Sequence, residues 1–328
     1  MTTGFVLGKF LPLHKGHQYL IETALAGVDK LCVVVDNIDE EVIPVKTRID
    51  WIQRTYPSAH VTTLRKVLPQ YPHEAEDFWQ QWENGLKEVL PADIDYVFAS
   101  ETYGERLAQF FDAKFVMVDL DRKNIPICAT KIRENPYENW QYLSKEARAF
   151  YCKKVCVFGP ESTGKSTLTE QLARHYNTNF VPEYARGVIE DCNAKLKDKD
   201  IEKIARGHDD DVKKATLDAN RVLFVDTDAI TTKVWSLELF GTYPKVIDEI
   251  IAKTDYDLYL LLDVDVPYVD DIVRYFPAKR KVFLQKLENE LKRYGKPYKL
   301  ISGSWENRFN MAVSLVDGMV EQRLAKVA

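Results

Sequence analysis

A chain of 328 residues with 45% hydrophobic and 29% charged residues can build two domains with separate cores, and its composition excludes a disordered or fibrous protein. Its 45 basic and 50 acidic residues leave a net charge of −5, which disfavours a nucleic-acid-binding surface. The five cysteines (Cys32, Cys128, Cys152, Cys156, Cys192) follow no metal-ligand spacing, and no apolar run reaches membrane-spanning length, so a soluble cytoplasmic protein with reduced thiols is expected.

In chain order, a minimal apolar strand over 5–7 runs into Gly8-Lys9-Phe10-Leu11-Pro12-Leu13-His14-Lys15-Gly16-His17. A helix over 18–26 carries Leu20, Ile21, Ala24 and Leu25 at helical spacing. Leu31 to Val35 reads as a buried parallel strand. There follow a helix over 45–56, a strand over 61–64, a longer helix over 74–89, a strand over 96–99, a helix over 103–111 and a strand over 115–118. Strands alternating with helices, with no hairpin signal between them, predict a doubly wound parallel sheet. His14-x-Gly16-His17 falls where the first strand hands over to the first helix, the place where such sheets bind ligands. Two imidazoles there can donate to phosphate oxygens, although H-x-G-H alone is a weak pattern. A second cluster, Ile127-Cys128-Ala129-Thr130-Lys131-Ile132-Arg133, begins a helix near the end of the same predicted sheet.

An amphipathic segment over 135–150 leads to a boundary near Tyr151, giving domains 1–150 and 151–328 without a flexible linker. Val155 to Thr167 reads as strand, glycine-bounded loop and helix start. Gly159, Gly164, Lys165 and Ser166 complete G-x-x-x-x-G-K-[ST], whose backbone N–H groups cradle a triphosphate while the lysine reaches the β- and γ-phosphates and the serine ligates Mg²⁺. A helix over 165–176 follows, then a short strand ending in Glu183 and Arg186, a polar helix over 200–219, and an apolar strand from Arg221 ending in Asp226 and Asp228. A carboxylate at such a strand end holds the Mg²⁺ shell. After a buried strand over 258–262, the basic residues Arg274, Lys279, Arg280 and Lys281 read equally as a solvated face or as a lid over ATP. A closing helix is expected over 309–324.

The first half resembles the nucleotidyltransferase superfamily in its two clusters, with Cys128 where the second motif usually has serine. A nucleotidyltransferase followed by a phosphate-loop kinase resembles the bifunctional NadR family, which joins nicotinamide mononucleotide (NMN) adenylyltransferase to ribosylnicotinamide kinase. The likeness runs through Gly8-Lys9-Phe10-x-Pro12-Leu13-His14-x-Gly16-His17, Ser100-Glu101-x-Tyr103-Gly104, Thr130-x-x-Arg133-x-Asn135-Pro136, the phosphate loop, Glu183-Tyr184-Ala185-Arg186 and Asp226-Thr227-Asp228. Some family members begin with a helix-turn-helix segment, for which this chain leaves no room. At Pro267-Tyr268-Val269-Asp270-Asp271-Ile272-Val273-Arg274 it departs from the family's usual Trp and Gly.

The resemblance implies an α/β chain with a Rossmann-like nucleotidyltransferase domain and a phosphate-loop kinase domain, both with parallel sheets. It implies that His14, His17, Arg133, Lys165, Glu183 and Asp226 carry the chemistry, with Glu183 or Asp226 taking the acceptor proton. ATP contacts are implied for Gly8, Lys9, Phe10, Thr130, Gly159, Glu161, Ser162, Thr163, Gly164, Ser166, Thr167 and Arg274. Substrate contacts are implied for Lys46, Trp79, Trp82, Tyr103, Tyr184, Arg186, Asp228 and Tyr268, with Trp79 and Trp82 either stacking on nicotinamide or packing their helix. Mg²⁺ would sit on Ser166 and Asp226. The partners implied are ribosylnicotinamide, NMN, ATP and NAD, without DNA or membrane; self-association is left open. Alternatives at this point are a kinase with a degenerate N-terminal module, a nucleotide-sensing regulator, and the same chemistries on another nucleoside.

Overall fold

Runs of β-branched and aliphatic residues too apolar to face water on either side form the central strands of two sheets, one in each of the units into which the chain divides. The computed structural model describes residues 1–38, 42–192, 195–269 and 279–321. The first unit runs to Ala147 and the second begins at Arg148.

In the first unit, β1 (Thr3–Gly8), α1 (Lys15–Gly27), β2 (Lys30–Val35), α2 (Val45–Thr55), β3 (His60–Thr63), α3 (Phe78–Lys87), β4 (Tyr96–Ala99), α4 (Tyr103–Gln109), β5 (Lys114–Met117) and α5 (Ala129–Glu134) follow in order, and the boundary between the units falls within α6 (Lys145–Tyr151). The strands lie in the order β3-β2-β1-β4-β5 and pair in parallel throughout. Because the chain leaves β1 toward β2 and later returns to β4 on the other side, a crevice opens beyond the C-terminal ends of β1 and β4. The long helix expected over 74–89 starts late. The Glu74 carboxylate accepts from the N–H groups of Gln70 and Tyr71, closing a separate turn, and Ala75 is extended before α3 begins at Phe78. The amphipathic segment over 135–150 is likewise broken. Pro136 cannot continue α5, Leu143 pairs with His14 in an isolated bridge, and the Ser144 hydroxyl accepts from Ala147 N–H to start α6.

The second unit runs β6 (Lys153–Phe158), α7 (Lys165–His175), β7 (Phe180–Val181), α8 (Tyr184–Asp191), α9 (Asp198–Asp218), β8 (Val222–Asp226), α10 (Ala229–Phe240), α11 (Val246–Lys253), β9 (Leu258–Leu262), α12 (Arg280–Arg293), β10 (Tyr298–Ile301) and α13 (Trp305–Glu321). Its parallel sheet has the order β10-β9-β6-β8-β7, with the strand that feeds the phosphate loop in the middle. Sequence periodicity does not reveal α8, α10, α11, α12 or β10. α10 is apolar nearly all round and so lacks a helical stripe; what marks it is Asp228 capping its start and Gly241 in the left-handed region at its end. No described helix is long and apolar enough to cross a membrane.

Arg48, on α2, is fully buried. Its Nε donates to Ile43 O at 3.1 Å, and its Nη1 donates to Lys9 O at 2.5 Å and Asp36 O at 3.0 Å. The guanidinium therefore holds together the loop leaving β1 and the end of β2. An Arg48→Met variant fills the space but leaves those carbonyls without donors. We expect it to destabilise the first unit by roughly 3 kcal/mol or more, read as a lowered urea midpoint with unchanged slope.

Candidate active sites

In the first unit the loop after β1 turns sharply. Phe10 takes a left-handed φ of 49°, and its fully buried ring packs edge-on to His17 with centroids 4.9 Å apart. The expected ATP contact through Phe10 is thus corrected: its side chain belongs to the core beneath the loop. His14 is the N-cap of α1, and its Nδ1 accepts from Gly16 N–H at 3.0 Å, which puts the ring proton on Nε2. A Cβ on Gly16 would come within 2.9 Å of His14 Cε1, so the glycine is needed for the cap to close. His17 stacks on His14 with centroids 3.8 Å apart.

Both imidazoles are neutral. Burial, with the charges of Arg122 and Arg133 behind it, brings His14 down to about 4. Burial and the neighbouring His14 hold His17 well below the usual histidine range, against a hydrogen bond to the Pro12 backbone that pushes the other way. His14 can therefore donate its Nε2–H to an anion, whereas the single N–H of neutral His17 is engaged by the Pro12 backbone, and the positive charge comes from arginines. Arg133 anchors one nitrogen on Leu11 O at 2.7 Å and another on Thr130 Oγ1 at 3.2 Å. Arg122 is a residue that sequence reasoning missed. It stands on the turn after β5, 3.5 Å from the Glu101 carboxylate, and its charge reaches both histidines. The available signal was Asp119, whose carboxylate accepts from Asn124 and Ile125 N–H and closes that turn just ahead of the second cluster.

The other expected contacts divide between the crevice and the scaffold. Lys46 is exposed and paired with Asp50 at 3.0 Å on its own helix. Trp82 is buried in the core with Phe78 and Leu86, its indole N–H donating to Pro69 O at 2.9 Å. That overturns it as a stacking surface: the helix-packing alternative holds, as the i,i+4 spacing to Leu86 demands. Trp79 packs against the same core, with the Arg106 guanidinium 6.0 Å from its ring centroid. The Tyr103 hydroxyl donates to Leu7 O at 3.2 Å, at the crevice end of β1. Gly8 and the exposed Lys9 lie on the turn itself, and Cys128 stands at the N-cap of α5 without a side-chain cap bond.

In the second unit Gly159 (φ 145°), Ser162 (φ 56°) and Gly164 (φ 85°) turn the phosphate loop. At Gly159 a Cβ would meet Leu262 O at 2.9 Å, so both the backbone angle and the space require glycine. The loop's carbonyls are held from outside: Arg308 Nη1 donates to Thr163 O at 2.8 Å and Arg280 Nη2 to Ser162 O at 2.9 Å. Thr163 Oγ1 and Lys165 Nζ both donate to Pro160 O. Neither arginine's role is legible from sequence, in which Arg280 reads as part of the basic run. Arg274 lies outside the described residues.

Ser166 Oγ donates to Asp226 Oδ2 at 2.5 Å, while the buried Asp226 Oδ1 has no hydrogen-bond partner. Burial raises the Asp226 carboxyl to about 6, the Glu183 charge adds to this, and the Lys165 ammonium opposes it. A serine hydroxyl beside a carboxylate oxygen with nothing to bind fits Mg²⁺, which takes one or two protein ligands and completes its shell with phosphate and water. Asp228 requires a correction. Its Oδ1 accepts from Ile230 and Thr231 N–H and its Oδ2 from Tyr259 Oη, so the buried carboxylate is committed to capping α10 and is not available to a substrate.

A cavity of about 270 Å³ opens beside the loop. Lys165, Ser166 and Glu183 line it with polar groups, whereas Tyr184, Ile204 and Trp235 give it apolar walls. Glu161, Ser162, Thr167 and Arg186 also border it, and Arg186 Nε pairs with Glu190 at 3.3 Å. Trp235 was missed because α10 was missed. Tyr268 is not among the lining residues; the Arg280 guanidinium stands 5.8 Å from its ring. The Tyr184 ring lies against Gly207, where a Cβ would fall 2.2 Å from Cζ.

Two parallel α/β units, one with a histidine pair at its switch point and one with a phosphate loop bordering a cavity, define a nucleotide-metabolising enzyme. The model of the AAA domain matches residues 154–308. The trifunctional NAD biosynthesis/regulator protein NadR of Escherichia coli (strain K12) is 30% identical over 351 aligned residues, covering 98% of this chain and 84% of that protein. NadR of Salmonella typhimurium (strain LT2) is also 30% identical, with the same coverage. The chain belongs to the NadR family. A crystal structure of a NadR protein in complex with NR superposes with a TM-score of 0.79 at 26% identity, covering 98% of this chain and 96% of that one. Another, in complex with NAD and AMP-PNP, gives 0.76 at 26% identity over 96% and 95%.

Two outcomes are expected. Unfolded histidine protonates near its ordinary value of 6.5 and folded His14 only near 4, so across that window the unfolded state binds more protons. His14 therefore lowers the stability of the first unit progressively as pH falls from 6.5 toward 4, and a His14→Gln variant should show a shallower acid decline in urea midpoints. Gly207→Ala should push the Tyr184 ring into the cavity and weaken severalfold the binding of a small molecule that fills it, measured by calorimetry, without lowering the affinity of the phosphate loop for tripolyphosphate.

Proposed function

We propose that the second unit transfers the γ-phosphoryl group of ATP to the 5′-hydroxyl of ribosylnicotinamide, giving NMN and ADP. The first unit then joins the NMN phosphate to the α-phosphorus of a second ATP, giving NAD and pyrophosphate. The observation that carries the reading is the cavity, because Lys165, Ser166 and Glu183 line it together with Tyr184 and Trp235. An aromatic-walled pocket suits a flat cationic ring, and its polar end brings the ribose hydroxyl to the transferred phosphoryl group. Crystal structures of NadR proteins in complex with NR and with NAD and AMP-PNP support ligands of this class.

In the kinase reaction Lys165 draws the β- and γ-phosphates into the loop. Mg²⁺ held by Ser166 and Asp226 would neutralise charge on the phosphate oxygens. Asp226 is committed to Ser166 and the metal position, which leaves Glu183 to accept the 5′-hydroxyl proton as that oxygen attacks phosphorus and the bond to ADP breaks. In the adenylyl transfer the substrate phosphate is itself the nucleophile, so no covalent protein intermediate forms. His14 donates its Nε2–H to the triphosphate with the His17 ring stacked against it, and Arg122 and Arg133 offset charge that develops on departing pyrophosphate.

The test supplies the protein with Mg²⁺, ATP and ribosylnicotinamide, and separately with ATP and NMN, following ADP, NAD and pyrophosphate by chromatography. Lys165→Ala should abolish ADP and NMN formation and spare NAD synthesis from NMN. His17→Ala should cut the latter on the order of 100-fold and spare the former. Equal loss of both activities in either variant, or no turnover by the wild-type protein, sinks the two-site reading. Glu183→Gln should reduce kinase turnover with little change in ATP affinity.

A further inference from the structure

His208, on α9, is a buried ionisable side chain to which the two reactions give no role. It borders the cavity one turn beyond Ile204, where α9 otherwise presents only Ile201 and Ile204. Its Nε2 stands 3.2 Å from Thr227 O. A carbonyl only accepts, so the ring proton is on Nε2, and the buried Nδ1 has no hydrogen-bond partner among the described residues. Burial lowers the proton affinity of the ring, opposed by that bond and by the charges of Glu183, Asp211 and Asp209. The imidazole is therefore neutral, and its N–H is committed to the backbone of Thr227.

That backbone is under strain. Thr227 has a φ of 66°, a left-handed conformation that a β-branched residue keeps only where its surroundings hold it. Its N–H donates to Val157 O at 3.0 Å, and its carbonyl accepts from His208 and, at 3.3 Å, from Cys156 Sγ. A thiol is a weak donor, so the imidazole is the firmer of the two holds on the carbonyl. On an extended strand, residues two apart face the same side. With Thr227 left-handed, Asp226 reaches Ser166 at the phosphate loop while Asp228 turns to the start of α10. The Glu183 charge bears on both His208 and Asp226, so the imidazole belongs to the same polar neighbourhood.

We propose that His208 is a positioning residue for the Mg²⁺ that Ser166 and Asp226 would hold. Its Nε2–H fixes the Thr227 peptide, and that peptide aims the Asp226 carboxylate. The proposal rests on the phosphate-loop and metal reading of the second unit and not on the identity of the phosphoryl acceptor. Because His208 acts through the backbone, its loss should weaken the contribution of the metal. The loop's own grip on phosphate, through N–H groups and Lys165, should remain.

The full chain is titrated calorimetrically with tripolyphosphate, once in excess Mg²⁺ and once in EDTA. The binding component that disappears in Lys165→Ala reports the phosphate-loop site. In His208→Leu, which fills the space without a donor, affinity at that site in Mg²⁺ should fall on the order of tenfold while the metal-free affinity stays within roughly twofold. His208→Gln, whose amide can donate to Thr227 O, should retain most of the affinity in Mg²⁺. Retained metal-free binding also shows that the loop is still folded. Unchanged affinity in Mg²⁺ for His208→Leu overturns the proposal. So does an equal loss with and without metal, and so does a glutamine variant as weak as the leucine one, which would make the imidazole a packing element only. If the wild-type protein binds no more tightly in Mg²⁺ than in EDTA, the metal reading fails and the positioning role falls with it; the identity of the acceptor is tested separately by ADP formation from ribosylnicotinamide.

Discussion

A loop that binds phosphate through its N–H groups must send its carbonyls the other way, and those carbonyls need donors. That constraint shapes the second unit. Arg308 and Arg280 take the carbonyls of Thr163 and Ser162 from outside, so the inward face is left to N–H groups, Lys165 and Ser166. The first unit solves the same problem with Arg48, which gathers the carbonyls of Lys9, Asp36 and Ile43 behind the turn that carries the histidines. A guanidinium suits this task because it is always charged and offers five donors in a fixed plane. In both units the loop after the first strand is preorganised by an arginine that has no need to touch a ligand.

The two sites use burial in opposite senses. In the first, burial keeps His14 and His17 neutral, so His14 offers an N–H donor and the nearby positive charge is that of Arg122 and Arg133. In the second, burial raises Asp226, and Glu183 adds to the cost of its charge. A buried carboxylate that is costly to leave charged is one that gains from a cation, and a nearby second carboxylate is one able to accept a proton. In the proposed kinase reaction Asp226 holds the metal and Glu183 takes the proton, a division that follows from the bond of Asp226 to Ser166.

Much was legible because it depends on local pattern. The doubly wound sheet of the first unit, the phosphate loop, the histidine pair and Asp226 at a strand end follow from periodicity and spacing over a few residues, whereas the parallel sheet of the second unit was implied by the family resemblance. Membership of the NadR family was visible in the same motifs. Helices α10 and α12 were not, because α10 is apolar all round and the start of α12 reads as a basic run. With α10 went Trp235, and with it one wall of the cavity.

The amino-acid sequence by itself determined where glycine must relax the backbone, where strands end in carboxylates, and which loop receives phosphate, since these are properties of neighbouring residues. Tertiary structure alone decided which charged side chains serve a site and which serve the scaffold. Asp228, two residues from Asp226, caps a helix and binds Tyr259; Trp82 packs a core; Arg122, Arg280 and Arg308 are brought to loops far from them in the chain. The physical reason is that a side chain's role depends on which donors, acceptors and charges surround it, and those neighbours arrive from distant parts of the sequence only when the sheets have formed.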